Sequence, residues 1–289
     1  MSTASAEPPL PARVYAPDSP LRSLRTFLAE AWADLAKCRE LAWLLTLRDI
    51  KAQFRQSMLG YVWAFLPPVI TSLTFIFLSE TGTIQVGETA IPYPAFVLIG
   101  SLIWQMFADA VQSPLRAVTA GQNMLIKINF PRESLILSGV GMALFNSLVR
   151  LVILVPVLVY YQVSPSLSWL WAGVGCMGLI AMGTCISTLL TPLGVLFSDV
   201  ARGIMLIMTF WMFLSAAIFP LPTEGLKAQL MHLNPIMPLV VTTRSALLGM
   251  DLPLLPYMLV VIAVSVALLL VGWLLYRVAL PHMIARLGM

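Results

Sequence analysis

Residues 124–137 read MLIKINFPRESLIL, and a long apolar run lies on either side of them. Between Lys127 and Glu133 stand two cations, one acid, an aromatic and a proline. Such a segment does not stay in hydrocarbon, where each ionised side chain costs about 3 kcal/mol or more. Both flanking runs are long enough to cross a bilayer. The segment therefore reads as a short polar loop between two membrane spans.

The bulk composition extends that reading to the whole chain. Of 289 residues, 59% are hydrophobic and only 10% are charged, and the mean hydropathy is +0.90. A soluble domain carries about a quarter charged residues. A soluble fold of this composition would expose far too much hydrocarbon, so the class is an all-α, multi-span integral membrane protein. Eight of the 17 Lys and Arg fall in the first sixty residues. Cations clustered this way suit an anionic membrane surface rather than nucleic acid. No apolar run of signal-peptide kind occurs before residue 40, so no cleaved leader is expected. Cys38, Cys176 and Cys185 show no metal-ligand spacing and read as free thiols.

Residues 1–20 hold five prolines and read as a disordered tail. Residues 21–60 read as a cytoplasmic interface region. From Leu21 to about Gln53, Leu and Ala recur at helical spacing with charges mostly between them, which describes an amphipathic helix broken near its middle. Trp32 and Trp43 are its interface anchors. Packing on a soluble partner is the other reading of the same pattern.

Residues 61–289 form the transmembrane domain. Six spans are expected near 62–79, 94–117, 135–161, 169–197, 203–219 and 254–278, with Pro156 and Pro192 tolerated inside the third and fourth. Residues 220–253 are apolar but chopped by five prolines. Each half holds too few residues to cross. Two short re-entrant helices fit better, near 223–232 and 236–249, together forming an outer hairpin over about 223–249. Pro235 and Pro238 fix its turn, Asn234 caps the second helix, and Arg244 lies within that helix.

With both termini on the cytoplasmic side, fourteen cations lie inside and two, Lys227 and Arg244, outside. That asymmetry sets the orientation. The opening segment is then cytoplasmic. An ordinary positive-inside loop explains its cations. A docking helix over about 124–136 also explains the aromatic and proline pair, with Phe130 plugging a pocket and Lys127, Arg132 and Glu133 setting register.

Asp109 and Arg150 lie inside the second and third spans, and intramembrane charges carry functional hypotheses by default. Counted at 1.5 Å per residue, their depths differ by roughly 10 Å. Three arrangements remain open at this stage: a direct pair, two separate lumen-facing roles, or snorkelling to an interface.

Four stretches together resemble the membrane subunits of type-2 ABC exporters, in particular the polysaccharide-export group that moves O-antigen, capsule or teichoic-acid polymers. LRDIKAQFRQSMLGYVWAFLPPVI (47–70) resembles the entry to the family's first span. IPYPAFVLIGSLIWQMFADAV (91–111) resembles its second span. NMLIKINFPRESLIL (123–137) resembles its cytoplasmic coupling helix. WMFLSAAIFPL (211–221) with LNPIMPLVVTTRSALLG (233–249) resembles its fifth span and outer gate. The matches cover roughly residues 45–250, in the family's order.

The resemblance implies a homodimer of this chain with two copies of a separate ABC ATPase, in a bacterial cytoplasmic (inner) membrane. It implies that Ile126, Lys127, Phe130, Pro131, Arg132 and Glu133 dock the ATPase, and that Asn234, Pro235, Pro238 and Arg244 belong to the outer gate. The lengthened, proline-rich N-terminus departs from the family pattern.

No Gly-x-x-x-x-Gly-Lys-Ser/Thr occurs in the chain, so it has no P-loop for nucleotide phosphates. ATP and Mg are expected on the partner subunit, with no cofactor, metal or catalytic residue in this chain. His232 and His282 fall on opposite sides of the expected topology and form neither a triad nor a metal site. Tyr61, Trp63, Phe65, Trp104, Phe107, Phe210 and Trp211 are candidates for the translocation path, together with Asp109 and Arg150. Aromatic faces can slide against sugar rings, although such residues are also common in packing and interface belts. The function expected is the permease half of an exporter for a lipid-linked polysaccharide. A same-family exporter of a drug, haem or lipid is the alternative. An ion-coupled carrier would need several protonatable residues in the spans, and a membrane glycosyl transferase would need clustered acids or histidines at one surface.

Overall fold

The computed structural model describes residues 24–55, 60, 62–82, 89, 91–122, 124, 131–221 and 225–287. Every regular element among them is an α-helix. Apolar runs take this form because hydrocarbon offers no partner to a backbone N–H or C=O, so each must bond within its own segment. In chain order the helices are α1 (Leu24–Arg55), α2 (Val62–Glu80), α3 (Tyr93–Ala120), α4 (Glu133–Tyr160), α5 (Trp169–Leu196), α6 (Ser198–Leu214), α7 (Leu226–Leu233), α8 (Ile236–Leu247) and α9 (Leu255–Leu287). Among the described residues, α3, α4, α5 and the Leu255–Ala279 part of α9 are long and apolar enough to cross a membrane.

The amphipathic segment is not broken. α1 runs 32 residues without interruption, and no Gly or Pro occurs within it to stop it. Its buried face, Cys38, Ala42, Leu45 and Thr46, packs on α4, while Trp32 and Trp43 stay exposed. The approach is close at Gly141 of α4, where a Cβ would sit 2.6 Å from Thr46 Oγ1.

α5 is the central helix, packed against α3, α8 and α9; α3 also carries α4 and α2. The core joins Ile99, Leu102 and Ile103 of α3 to Leu179 of α5 and Leu239 of α8. Small residues let the backbones meet. A Cβ on Gly183 of α5 would lie 2.9 Å from the Phe107 carbonyl oxygen of α3, and one on Gly139 of α4 would lie 2.3 Å from Pro114 Cα.

The fifth apolar run behaves differently from its hydropathy. A span to residue 219 is expected, yet α6 is shifted toward the N-terminus and stops at Leu214. Ala216 takes a left-handed backbone, φ 57°, which no helix tolerates. Residues Ser215–Ile218 then run as buried, non-helical chain. Their stop is fixed by side chains from the hairpin α7–α8, described next.

Candidate functional site

Three clusters of polar side chains organise the molecule, one at each end and one between. At the α1 end, Leu45, Val118, Leu135, Ile136, Val195 and Tyr276 form one buried cluster that joins α1, α3, α4, α5 and α9. Met124 packs against this junction, and α4 begins at it. Glu133, in the first turn of α4, is buried, and its Oε1 lies 3.5 Å from Arg277 Nη1 of α9. Arg277 Nη2 donates to Asp34 Oδ2 of α1 at 2.7 Å. One guanidinium thus ties α1, the start of α4 and α9 together. Burial, then the Glu133 and Asp34 carboxylates, push the nearby Cys38 thiol up to about 11. Gln122 Nε2 adds a bond to the Val195 carbonyl at 3.0 Å, fixing the end of α3 to α5.

Of the docking set read from sequence, Ile126, Lys127 and Phe130 lie outside the described residues. Pro131 is exposed and Arg132 half-buried. Glu133 is buried and faces Arg277.

Midway along the bundle, Arg150 Nη1 of α4 donates to Asp109 Oδ2 of α3 at 2.5 Å. The side chains are 9% and 21% exposed. The structure therefore brings together the two charges whose relation the sequence left open. Arginine's long apolar stem spans the offset in depth along the helices.

At the hairpin end, Asn234 occupies the turn between α7 and α8 and makes three bonds. Its Oδ1 accepts from Trp211 Nε1 and from the Ile236 N–H, each at 3.1 Å, and its Nδ2 donates to the Leu214 carbonyl at 2.8 Å. Arg244 of α8 is buried; its Nη1 donates to the Ala216 carbonyl at 2.9 Å, and its guanidinium lies 3.6 Å from the Phe96 ring centroid. These groups take the carbonyls that α6 would have used to continue, which is why it ends where it does. The backbone fits tightly here: a Cβ on Gly100 would overlap the Ala217 carbonyl oxygen. Pro238 is buried and Pro235 exposed. The hairpin is thus fastened to α6 and α3 through side-chain bonds and is not continuous with either.

The aromatic candidates separate into two groups. Trp104 and Phe107 are buried in the core, and Phe107 stacks edge-on against the half-buried Trp211 at 5.7 Å. Trp104 and Phe107 are enclosed by their own chain, and Trp211 is enclosed in part. Trp63 and Phe210 are 57% and 70% exposed. Tyr61 and the Phe65 side chain lie outside the described residues. The Asp34–Arg277 contact was not read from sequence, although Arg277 sits in an apolar run, the same signal that singled out Arg150.

A model of the ABC-2 type transporter family matches residues 40–248. The chain is 26% identical over 239 residues to the O-antigen export system permease protein RfbA of Myxococcus xanthus, covering 82% of this chain and 91% of the relative. It is 32% identical over 173 residues to a protein of the same name from Klebsiella pneumoniae, covering 56% of this chain and 64% of the relative. A second Klebsiella pneumoniae protein of that name is 30% identical over 169 residues, with the same coverage.

Proposed function

Because the chain belongs to the ABC-2 type transporter family, we propose that it is the permease subunit of an ATP-driven exporter whose cargo is a lipid-linked polysaccharide of the O-antigen kind. The observation that carries this reading is the match to O-antigen export permeases from two organisms, one of them along 91% of its length. The chain has no P-loop of its own, so the energy comes from a separate ABC ATPase that binds ATP and Mg. Deleting the gene is expected to remove the polymer from the cell surface and to leave it on its lipid carrier inside. Surface polymer at the wild-type level after deletion would sink the cargo assignment.

The finer architecture follows from the same reading. Six spans form when α2 and α6 cross beside the four longer helices. At 17 residues, α6 reaches about 26 Å, a little short of the roughly 30 Å hydrocarbon core, and the buried Ser215–Ile218 segment completes the crossing. Both termini face the cytoplasm, in keeping with the fourteen-to-two cation asymmetry, and the membrane is the bacterial inner membrane. α2 and α6 keep exposed apolar faces, including Leu73, Phe77, Leu206 and Phe210. A second copy of the chain covers such faces, giving a homodimer that carries two ATPase copies. Trp63, Phe210 and the unseen Tyr61 and Phe65 are the aromatic positions left to line a path.

The hairpin α7–α8 is read as re-entrant from the outer face, because 8 and 12 residues are too short to cross. Leu226 and Leu233 are 71% and 80% exposed. Cysteines placed there, in a background lacking the three native ones, are expected to react with an impermeant maleimide only from outside. Labelling of Leu233→Cys from the cytoplasm alone would mean that the hairpin crosses, and the gate would have to be sought elsewhere.

A further inference from the structure

Between α1, α4, α5 and α9 runs a groove of about 320 Å³. Leu35, Val140, Leu144, Ala181, Leu270 and Trp273 line it, and its single ionisable wall residue is Glu133, at the α1 end. From Glu133 to Leu144 it follows α4 for about 16 Å. Leu144 and Met177, on its rim, are 37% and 58% exposed, so it opens toward the surrounding membrane. Its shape is that of a narrow apolar slot with one polar end.

Neither water nor vacancy suits such a slot. A water needs two or more polar partners; apart from Glu133, Thr184, Thr188 and Trp273 the lining is hydrocarbon, so water would fill little of it. An empty slot forfeits the dispersion contacts of its lining. Two hydrogen-bonding atoms on the wall, Trp273 Nε1 and Thr184 Oγ1, are buried without a partner, and Thr184 is 5% exposed. The polar end lies beside the amphipathic helix, where lipid headgroups meet water. The exposed Arg39 follows the groove-lining Leu35 by four residues and so shares its stripe of α1.

We propose that the groove holds one acyl chain of a glycerophospholipid from the leaflet on the α1 side. The chain fills the apolar slot, an ester oxygen accepts the Trp273 N–H, and the phosphate lies at Arg39. The lipid then acts as a wedge between the interface helix and the bundle, so that α1 is seated partly on lipid and partly on α4. This inference goes beyond the cargo assignment and uses no transport readout, so its failure would leave the exporter reading standing.

The test is photo-crosslinking of the chain with its ATPase in nanodiscs of phosphatidylethanolamine and phosphatidylglycerol. The probe is phosphatidylglycerol with a diazirine on one acyl chain. Adducts at Leu144, Ala181 and Leu270 are expected to exceed those at the lipid-facing Val152 and Val264 by about fivefold, the signature of a held rather than a passing lipid. Ala181→Phe fills the slot and should bring groove adducts down to the Val152 level while leaving Val152 itself unchanged. If that variant fails to assemble with the ATPase, Leu144→Phe at the rim makes the same test. Groove adducts no more frequent than those at Val152, or unchanged by the filling variant, would overturn the proposal. A second copy of the chain seated there would exclude the probe and give the first of those outcomes.

Discussion

The double variant Phe130→Ala, Arg132→Glu is expected to insert normally and to lose export almost completely. An aromatic or arginine at the centre of a protein interface contributes about 2 kcal/mol or more, which is about thirtyfold in affinity for each. Reversing the sign at Arg132 adds repulsion to the lost contact. Arg132 is half-buried and is not one of the partners in the Asp34–Arg277 and Glu133–Arg277 contacts. The measurements are surface polymer and the amount of ATPase that co-purifies. The companion variant Glu133→Gln separates docking from mounting. Glu133 faces Arg277 inside the bundle, so it should loosen α1 and the start of α4 while sparing direct contact with the ATPase. Full export together with undiminished co-purification by the double variant would defeat the docking role of this segment.

The second large effect concerns Asp109 and Arg150. Asp109→Ala removes the carboxylate from a guanidinium that is 9% exposed and leaves a buried cation unpaired. Breaking a buried pair in this way costs about 3 kcal/mol or more. Arg150→Met, which keeps the apolar stem, should cost less, because the carboxylate it leaves is less enclosed, at 21% exposed, than the guanidinium left by Asp109→Ala, at 9%. The double variant Asp109→Leu, Arg150→Met should be more stable than Asp109→Ala alone, since no charge is left behind. A double-mutant cycle of thermal unfolding in detergent measures the coupling. Purely additive effects of the two single changes would show that the pair does not hold α3 to α4.

The long helices were legible in the sequence because hydropathy and length report a local property. The places where the reading stopped are places where a distant side chain decides. The end of α6 depends on Arg244, 28 residues away from the carbonyl it binds; the apolar run itself gives no sign of it. The rings of Trp104 and Phe107 turn inward because α5 and α6 pack over them, and composition alone does not say which side of a wholly apolar helix is covered. Asp109 and Arg150 were both marked by the cost of a charge in lipid. Their pairing stayed open because a count of residues along straight helices put them at different depths, and the reach of arginine closed the gap. Glu133 stood out for the same local reason. Its partner Arg277 lies on the last helix, which no pattern near Glu133 could reveal.

That last contact also sets an order on biosynthesis. Asp34 and Arg277 are 243 residues apart in the chain. At roughly 5–20 residues per second, the ribosome needs about 12–50 s to pass from one to the other. During that interval the first helix has been made but has no guanidinium to close on, and Glu133 waits with its charge uncompensated. Only a chain whose final helix has emerged can lock α1 to the start of α4 through Arg277. A truncated or stalled product would therefore leave α1 and the start of α4 without that tie.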